Sequence, residues 1–168
     1  MDALAHTLDL LKDTYYYNHW IYSLLRPYIG DSVLEVGAGV GNLTRFQLYC
    51  KMVSCLDHNP EFAAGLKGLS TKHLNLHVIE ARLEDYSPSN NPDHFDTILC
   101  VNVLEHIQNQ EAAIHKIMSM LNPGGRLLLY VPACQWAYGT IDSHLGHFRC
   151  YTKSQFKRFA KNANATLV

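Results

Sequence analysis

The stretch Val33-Leu34-Glu35-Val36-Gly37-Ala38-Gly39-Val40-Gly41 constrains the fold more than any other part of the chain. A short apolar run, Ser32–Val36, stops at a glycine-rich turn, and Asn42–Cys50 beyond it reads as a helix. Strand, tight turn and helix in that order place backbone N–H groups at the carboxyl end of a sheet, where open α/β folds bind ligands. Glycine permits positive φ there and lets a ligand lie against bare backbone. The spacing separates two ligand classes. A dinucleotide fingerprint is G-x-G-x-x-G, and the position of its third glycine is occupied by Asn42. The chain reads G-x-G-x-G instead, with Glu35 two residues before the first glycine. A carboxylate at that point suits a ligand carrying a positive group and would repel a pyrophosphate. Asp57 follows at the end of a second strand, twenty residues beyond Gly37. An acid so placed can accept both hydroxyls of a ribose.

Strand-like and helix-like runs alternate through the rest of the chain. Met52–Leu56 is a buried strand, and Pro60–Leu66 a helix with proline at its start. Leu76–Ile79 and Thr97–Val101 are further strands. Gln110–Leu121 is a helix whose apolar residues recur at Ala113, Ile114, Ile117 and Leu121. Asn122-Pro123-Gly124-Gly125 stops it, and Leu127–Val131 is a fifth strand. Thr152-Lys153-Ser154-Gln155 has capping-box spacing and opens a last helix through Lys161. Ser87–Asp93 is a polar, turn-rich loop, and Leu4–Tyr28 reads as two helices lying across the core. The pattern predicts an α/β fold with a doubly wound, mostly parallel, Rossmann-like sheet and helices on both faces. One domain is expected over 1–168, with a helical extension (1–30), a ligand-binding core (31–132), and a loop and last helix (133–168).

Composition narrows the function. With 168 residues, 48% of them hydrophobic, the chain has enough apolar material for one core. Fourteen basic against fifteen acidic side chains leave a net charge of −1. That excludes the strongly basic footprint of a protein held by phosphate backbones. No apolar run approaches the roughly 20 residues of a membrane span, and the N-terminus lacks the features of a secretory signal. A cytoplasmic protein without membrane or nucleic-acid partners is expected. The five cysteines (Cys50, Cys55, Cys100, Cys134, Cys150) are scattered, with no C-x-x-C pair. They read as reduced, mostly buried small hydrophobes, and the closely spaced ligands of a zinc site are missing.

Four segments in order carry a resemblance to a known family. They are Leu-Glu-Val-Gly-Ala-Gly-Val-Gly (34–41), Leu-Asp-His-Asn-Pro (56–60), Phe-Asp-Thr-Ile-Leu-Cys-Val-Asn-Val-Leu-Glu-His-Ile (95–107) and Leu-Asn-Pro-Gly-Gly-Arg-Leu-Leu-Leu-Tyr-Val-Pro (121–132). The sequence resembles the class I S-adenosylmethionine-dependent methyltransferases, in register from Val33 to about Phe156. The resemblance implies that Glu35, Gly37, Ala38, Gly39 and Gly41 cradle the methionine part of S-adenosylmethionine. It implies further that Asp57 holds the ribose, His58 lies beside the adenine, and Asn102 lines the methionine end.

Three departures from the family pattern matter. Many relatives carry an acid facing the adenine amino group where this chain has Arg82, a donor with no acceptor. Backbone at Leu83 or the side chain of Glu84 can substitute. Quinone-pathway O-methyltransferases with a similar Val-Leu-Glu-His segment pair its Glu and His with an earlier Glu as a magnesium site. Here that earlier position is Asn102, so no metal is expected, and Glu105 and His106 read as the start of a helix. Finally, relatives continue the segment around Asp142–Thr152 with two arginines, and the second is Cys150 here. The family then adds a sixth and a seventh strand. This chain ends about where the sixth would begin, so both are expected to be truncated or absent, leaving the fifth strand as an edge open to self-association.

Methyl transfer from a sulfonium is an in-line displacement that needs alignment, plus a base if the acceptor must lose a proton. In the loop from Pro132 to Tyr151, His147 is the first candidate base and His144 the second. Alternatively Asp142, His147, Arg149 and Tyr151 form a hydrogen-bonded cluster that fixes the loop. Tyr15, Tyr16, Tyr17 and Trp20 are either a lid over the cofactor or helix packing. The leading expectation is methyl transfer to a small-molecule acceptor at oxygen. The alternatives are a truncated relative that holds the cofactor without turnover, and a nicotinamide oxidoreductase, which Asn42 disfavours.

Overall fold

The computed structural model describes residues 14–86, 94–133 and 139–167. Helix α1 (Tyr15–Leu25) runs into a 3-10 turn, Arg26–Tyr28, and β1 (Ser32–Val36) follows. Next come α2 (Thr44–Gln47), β2 (Met52–Asp57), α3 (Pro60–Ser70), β3 (Leu76–Glu80) and β4 (Phe95–Val101). A second 3-10 turn, Leu104–His106, leads to α4 (Gln110–Ser119), β5 (Leu121–Tyr130), α5 (Thr140–His144) and α6 (Lys153–Asn162). The strands form one parallel sheet in the order β3-β2-β1-β4-β5. Chain order therefore reverses beside β1, where successive crossovers leave in opposite directions, and a crevice opens between the carboxyl ends of β1 and β4.

Strand alternation sends β1 residues to two cores. Val33 joins Val53, Cys55 and Leu99 under Ile21, Tyr22 and Leu25 of α1 and Leu66 of α3. Leu34 and Val36 join Ile98 and Cys100 under Ile114 and Ile117 of α4 and Phe159 of α6. Both faces are covered, as the buried strand runs require. The rise of each strand and the short αβ turns bring the ends of β1, β2 and β4 to one edge, which is where the site lies.

Three local expectations change. The helix expected over 42–50 is only Thr44–Gln47, because the glycine turn continues through Gly41 (φ +81°) and Thr44 and Gln47 turn inward to bond Glu35. The fifth strand begins at Leu121, before the Asn-Pro-Gly-Gly segment. Phe95 pairs with Leu121 and Thr97 with Arg126, so the intervening residues bulge from the ladder without leaving it. Glu105 and His106 do not start a helix: their 3-10 turn ends at an extended Ile107, and α4 starts afresh where Asn109 Oδ1 accepts the Ala112 N–H. The last helix does start on the expected capping box of Thr152 and Gln155. The N-terminal extension shows one helix in its described part. The remainder of Leu4–Tyr28, the Ser87–Asp93 loop and Cys134 lie outside the described residues. Cys50, Cys55 and Cys100 are free and buried, and Cys150 is buried.

Candidate active site

The glycine turn is held from below by the sheet. The Gly37 and Ala38 N–H groups both donate to the Leu56 carbonyl, at 2.7 and 3.3 Å. Gly37 has φ +69°, and a Cβ there would meet Val103 Cγ2 at 2.3 Å. The turn after β1 thus lies flush against the segment after β4, with no space for a side chain between them. Asn102 makes the matching turn after β4 with φ +52°, its N–H donating to the Tyr130 carbonyl at 2.7 Å. Asparagine is among the few non-glycine residues that adopt this conformation readily.

A cleft opens above these turns, and Gly37, Asp57, His58, Arg82, Leu83, Glu84, Val103 and His106 are among its lining residues. Asp57 is buried at the tip of β2. Its Oδ2 accepts the Gly39 N–H at 2.7 Å and its Oδ1 the Asn59 N–H at 2.9 Å. Each oxygen keeps a second acceptor direction, so a vicinal diol can still bind to it. Arg82 stands on the cleft wall beside Leu83 and Glu84, where the resemblance places the adenine. Ala38, Gly39, Gly41 and Asn102 belong to the same turns but not to the cleft lining.

Glu35 also lies off the cleft. It points to the same side of β1 as Val33, is 5% exposed, and its Oε2 accepts both Thr44 Oγ1 and Gln47 Nε2 at 2.8 Å. Burial raises its pKa to about 7 against the pull of those two donors. Its carboxylate therefore ties α2 to the sheet and sets the turn from behind the cleft lining.

The segment after β5 folds back onto the 3-10 turn after β4. The Phe148 N–H donates to the Glu105 carbonyl at 2.8 Å, Tyr151 Oη to the Leu104 carbonyl at 3.0 Å, and Arg149 to the Gln108 carbonyl at 3.0 Å. This brings His147 to His106, with ring centroids 4.7 Å apart and nearly perpendicular planes. His147 Nδ1 lies 3.0 Å from Asp142 Oδ1. The Gly139 N–H, with His147 second, holds the Asp142 carboxyl below the usual range. Burial, then His147, lowers the pKa of His106. His144 is exposed on α5, its Nδ1 2.9 Å from the Thr140 carbonyl.

Glu105 is fully buried beneath these rings, and neither carboxylate oxygen has a hydrogen-bond partner among the described residues. One ligand-capable atom each from Glu105, His106 and His147 lies within 4.8 Å of the others. This set of one carboxylate and two imidazoles differs from the all-oxygen shell that magnesium prefers. His106 was legible only as a helix start. Its position shortly after the carboxyl end of β4, beside the switch point, was the signal that it could reach the cleft.

Comparison with known proteins settles the family. A model described as a methyltransferase domain matches residues 12–168. The chain belongs to the class I S-adenosylmethionine-dependent methyltransferases. It is 32% identical over 109 residues to a ubiquinone biosynthesis O-methyltransferase of Xanthomonas euvesicatoria, a match covering 60% of this chain and 42% of that protein. The methyltransferase thus spans less than half the length of this curated relative. Its fold matches the methyltransferase from a Haloferax volcanii complex with the Trm112 activator, at TM-score 0.79 and 14% identity, covering 97% and 76% of the two chains. It also matches magnesium protoporphyrin IX methyltransferase from Synechocystis, solved with S-adenosylhomocysteine bound (TM-score 0.68, 16% identity, 89% and 72% covered). No described helix is long and apolar enough to cross a membrane.

Proposed function

We propose that this methyltransferase moves the methyl group of S-adenosylmethionine to an oxygen of a small-molecule acceptor in the cytoplasm. The observation that carries the reading is the Asp142–His147–His106 row, which ends on the wall of the cofactor cleft. Asp142 holds the His147 ring on one nitrogen and supports an imidazolium on the other, which is the arrangement of a general base. Gly37 lets the sulfonium end lie against backbone, Asp57 takes the ribose hydroxyls, and His58, Leu83 and Glu84 border the adenine. Displacement at the methyl carbon then needs alignment more than chemistry from the protein. His147 takes the acceptor hydroxyl proton as the oxygen–carbon bond forms and the carbon–sulfur bond breaks. His144 is the second candidate for that proton. The likeness to an O-methyltransferase over 60% of the chain supports oxygen as the target, and the buried free thiols of Cys50, Cys55 and Cys100 suit a reducing compartment.

The test is methyl transfer from labelled S-adenosylmethionine to a panel of phenols, carboxylates and amines. Labelled ether or ester is the expected product. Transfer to amines alone would overturn the oxygen assignment. Cofactor binding with no transfer to any class would favour a non-catalytic cofactor-binding role, which β5, half-exposed and paired with β4 alone among the described residues, also fits.

A further inference from the structure

We propose that Glu105, His106 and His147 form a binding site for a borderline divalent transition cation of the zinc class. Its third ligand, His147, comes from the segment after β5, whereas the position at the end of β4 is Asn102. Three independent observations converge on it. Glu105 is 0% exposed with both carboxylate oxygens unpartnered among the described residues. A buried, unsatisfied carboxylate is costly, and a cation is the partner that relieves both oxygens at once. Next, the three ligand atoms already lie within 4.8 Å of one another. Ligands about 2.0–2.1 Å from a tetrahedral zinc sit about 3.3 Å apart, so closure needs side-chain movements on the order of an ångström.

The third observation is the outer support. Metal-bound histidines usually donate their other nitrogen to a carboxylate or a carbonyl. His147 Nδ1 lies on Asp142, which directs Nε2 as the ligating nitrogen, and His106 is hydrogen-bonded by backbone at Gly146. The frame is also stitched together: Phe148, next to His147, donates its N–H to the carbonyl of Glu105 itself. One carboxylate and two imidazoles suit Zn2+, Co2+ or Ni2+ and leave coordination positions open, whereas Mg2+ asks for a shell of oxygens. Cation binding and the base role compete for one His147 nitrogen, so the two are separable by experiment.

The test is titration of the metal-stripped full chain with Co2+, followed by visible d–d absorption. One equivalent should bind with the intense bands of low coordination, be displaced by Zn2+, and resist a large excess of Mg2+. His106→Asn and His147→Asn should each weaken binding by ~100-fold or more, and the near-isosteric Glu105→Gln similarly. Asp142→Asn, acting through His147, should weaken it by about 10–100-fold, while His144→Asn should leave the spectrum unchanged. Near-ultraviolet circular dichroism and urea unfolding verify that each variant is folded. No visible spectrum, a spectrum surviving both histidine variants, or displacement by Mg2+ at comparable concentration would each overturn the proposal. None of these readouts uses methyl transfer, so a failed acceptor panel leaves the titration standing, and a failed titration leaves the panel standing.

Discussion

Asp142 Oδ1 and His147 Nδ1 are 3.0 Å apart, with the His147 side chain only 10% exposed. A carboxylate at that distance selects the tautomer with the proton on Nδ1 and leaves Nε2 basic. Replacing His147 by Asn should therefore lower kcat by roughly 10²–10⁴-fold, the usual value of a positioned base, with S-adenosylmethionine affinity unchanged. Asp142→Asn should produce a smaller loss in kcat with KM for the acceptor retained. His144→Asn should cost less than His147→Asn, and the reverse order would transfer the base role to His144. Single-turnover rates with an acceptor from the panel decide between them.

Gly37 presses on Val103 so closely that any Cβ collides, and its φ is in the left-handed region. Gly37→Ala should lower S-adenosylmethionine affinity by about tenfold or more, read by calorimetric titration. Trimming the obstruction in the double variant Gly37→Ala, Val103→Ala should restore part of that loss. The remainder should match the backbone strain of about 1–2 kcal/mol for a non-glycine residue at positive φ. Full restoration would mean that strain plays no part.

Glu35 holds its proton more tightly in the folded chain, where its pKa is about 7, than the ordinary value of 4.5. The folded state thus binds more protons between those two values, and this contribution to stability falls as pH rises through the window. The loss approaches about 3 kcal/mol as an upper limit, complete above about pH 7. Urea unfolding should show the chain less stable at pH 8 than at pH 5. In Glu35→Gln the slope should flatten, with a gain in stability at pH 8. Both Thr44 and Gln47 bond the same oxygen, so a glutamine carbonyl can keep both contacts. A slope of equal size in the variant would assign the effect to other groups, Glu105 first among them.

Strands, turns and the switch point were legible because buried apolar runs and glycines act locally. The capping box at Thr152 was legible for the same reason. The orientation of Glu35 was half-legible: alternation along β1 puts it on the side of Val33, but its partners Thr44 and Gln47 sit nine and twelve residues on. Glu105 was misread because an acid just ahead of a helical run suits a helix N-terminus, whereas the extended Ile107 and the Asn109 cap divide the segment. Burial of Glu105 depends on the return of Phe148 and Tyr151, more than forty residues later, and no local pattern reports that. The meeting of His106 and His147 has the same origin. The Asn-Pro-Gly-Gly segment read as a break because a bulge and a strand boundary use the same residues.

The edge of the sheet supplies the last prediction. Among the described residues β5 pairs with β4 alone, and its leucines are half-buried where Ile98 and Leu99 of β4 are fully buried. Leu127 and Leu129 lean on one core and Leu128 and Tyr130 on the other, so both faces of the strand carry apolar side chains. Trp20 stands half-exposed over the same edge, its ring edge-on to Tyr130 at 6.4 Å between centroids. Tyr15, Tyr16, Tyr17 and Trp20 are 40–87% exposed while Ile21, Tyr22 and Leu25 are buried, so an aromatic surface faces outward among the described residues. Unpaired N–H and C=O groups beside apolar side chains favour pairing with another strand. Sedimentation velocity should show association of the chain that rises with concentration. Leu128→Lys, with its charge at the edge and its stem still on the core, should shift the boundary towards monomer. Trp20→Lys should do so through the neighbouring helix without touching the strand. Association that persists in both variants would place the contact elsewhere, and a monomer at every concentration would mean that β5 does not recruit a second copy.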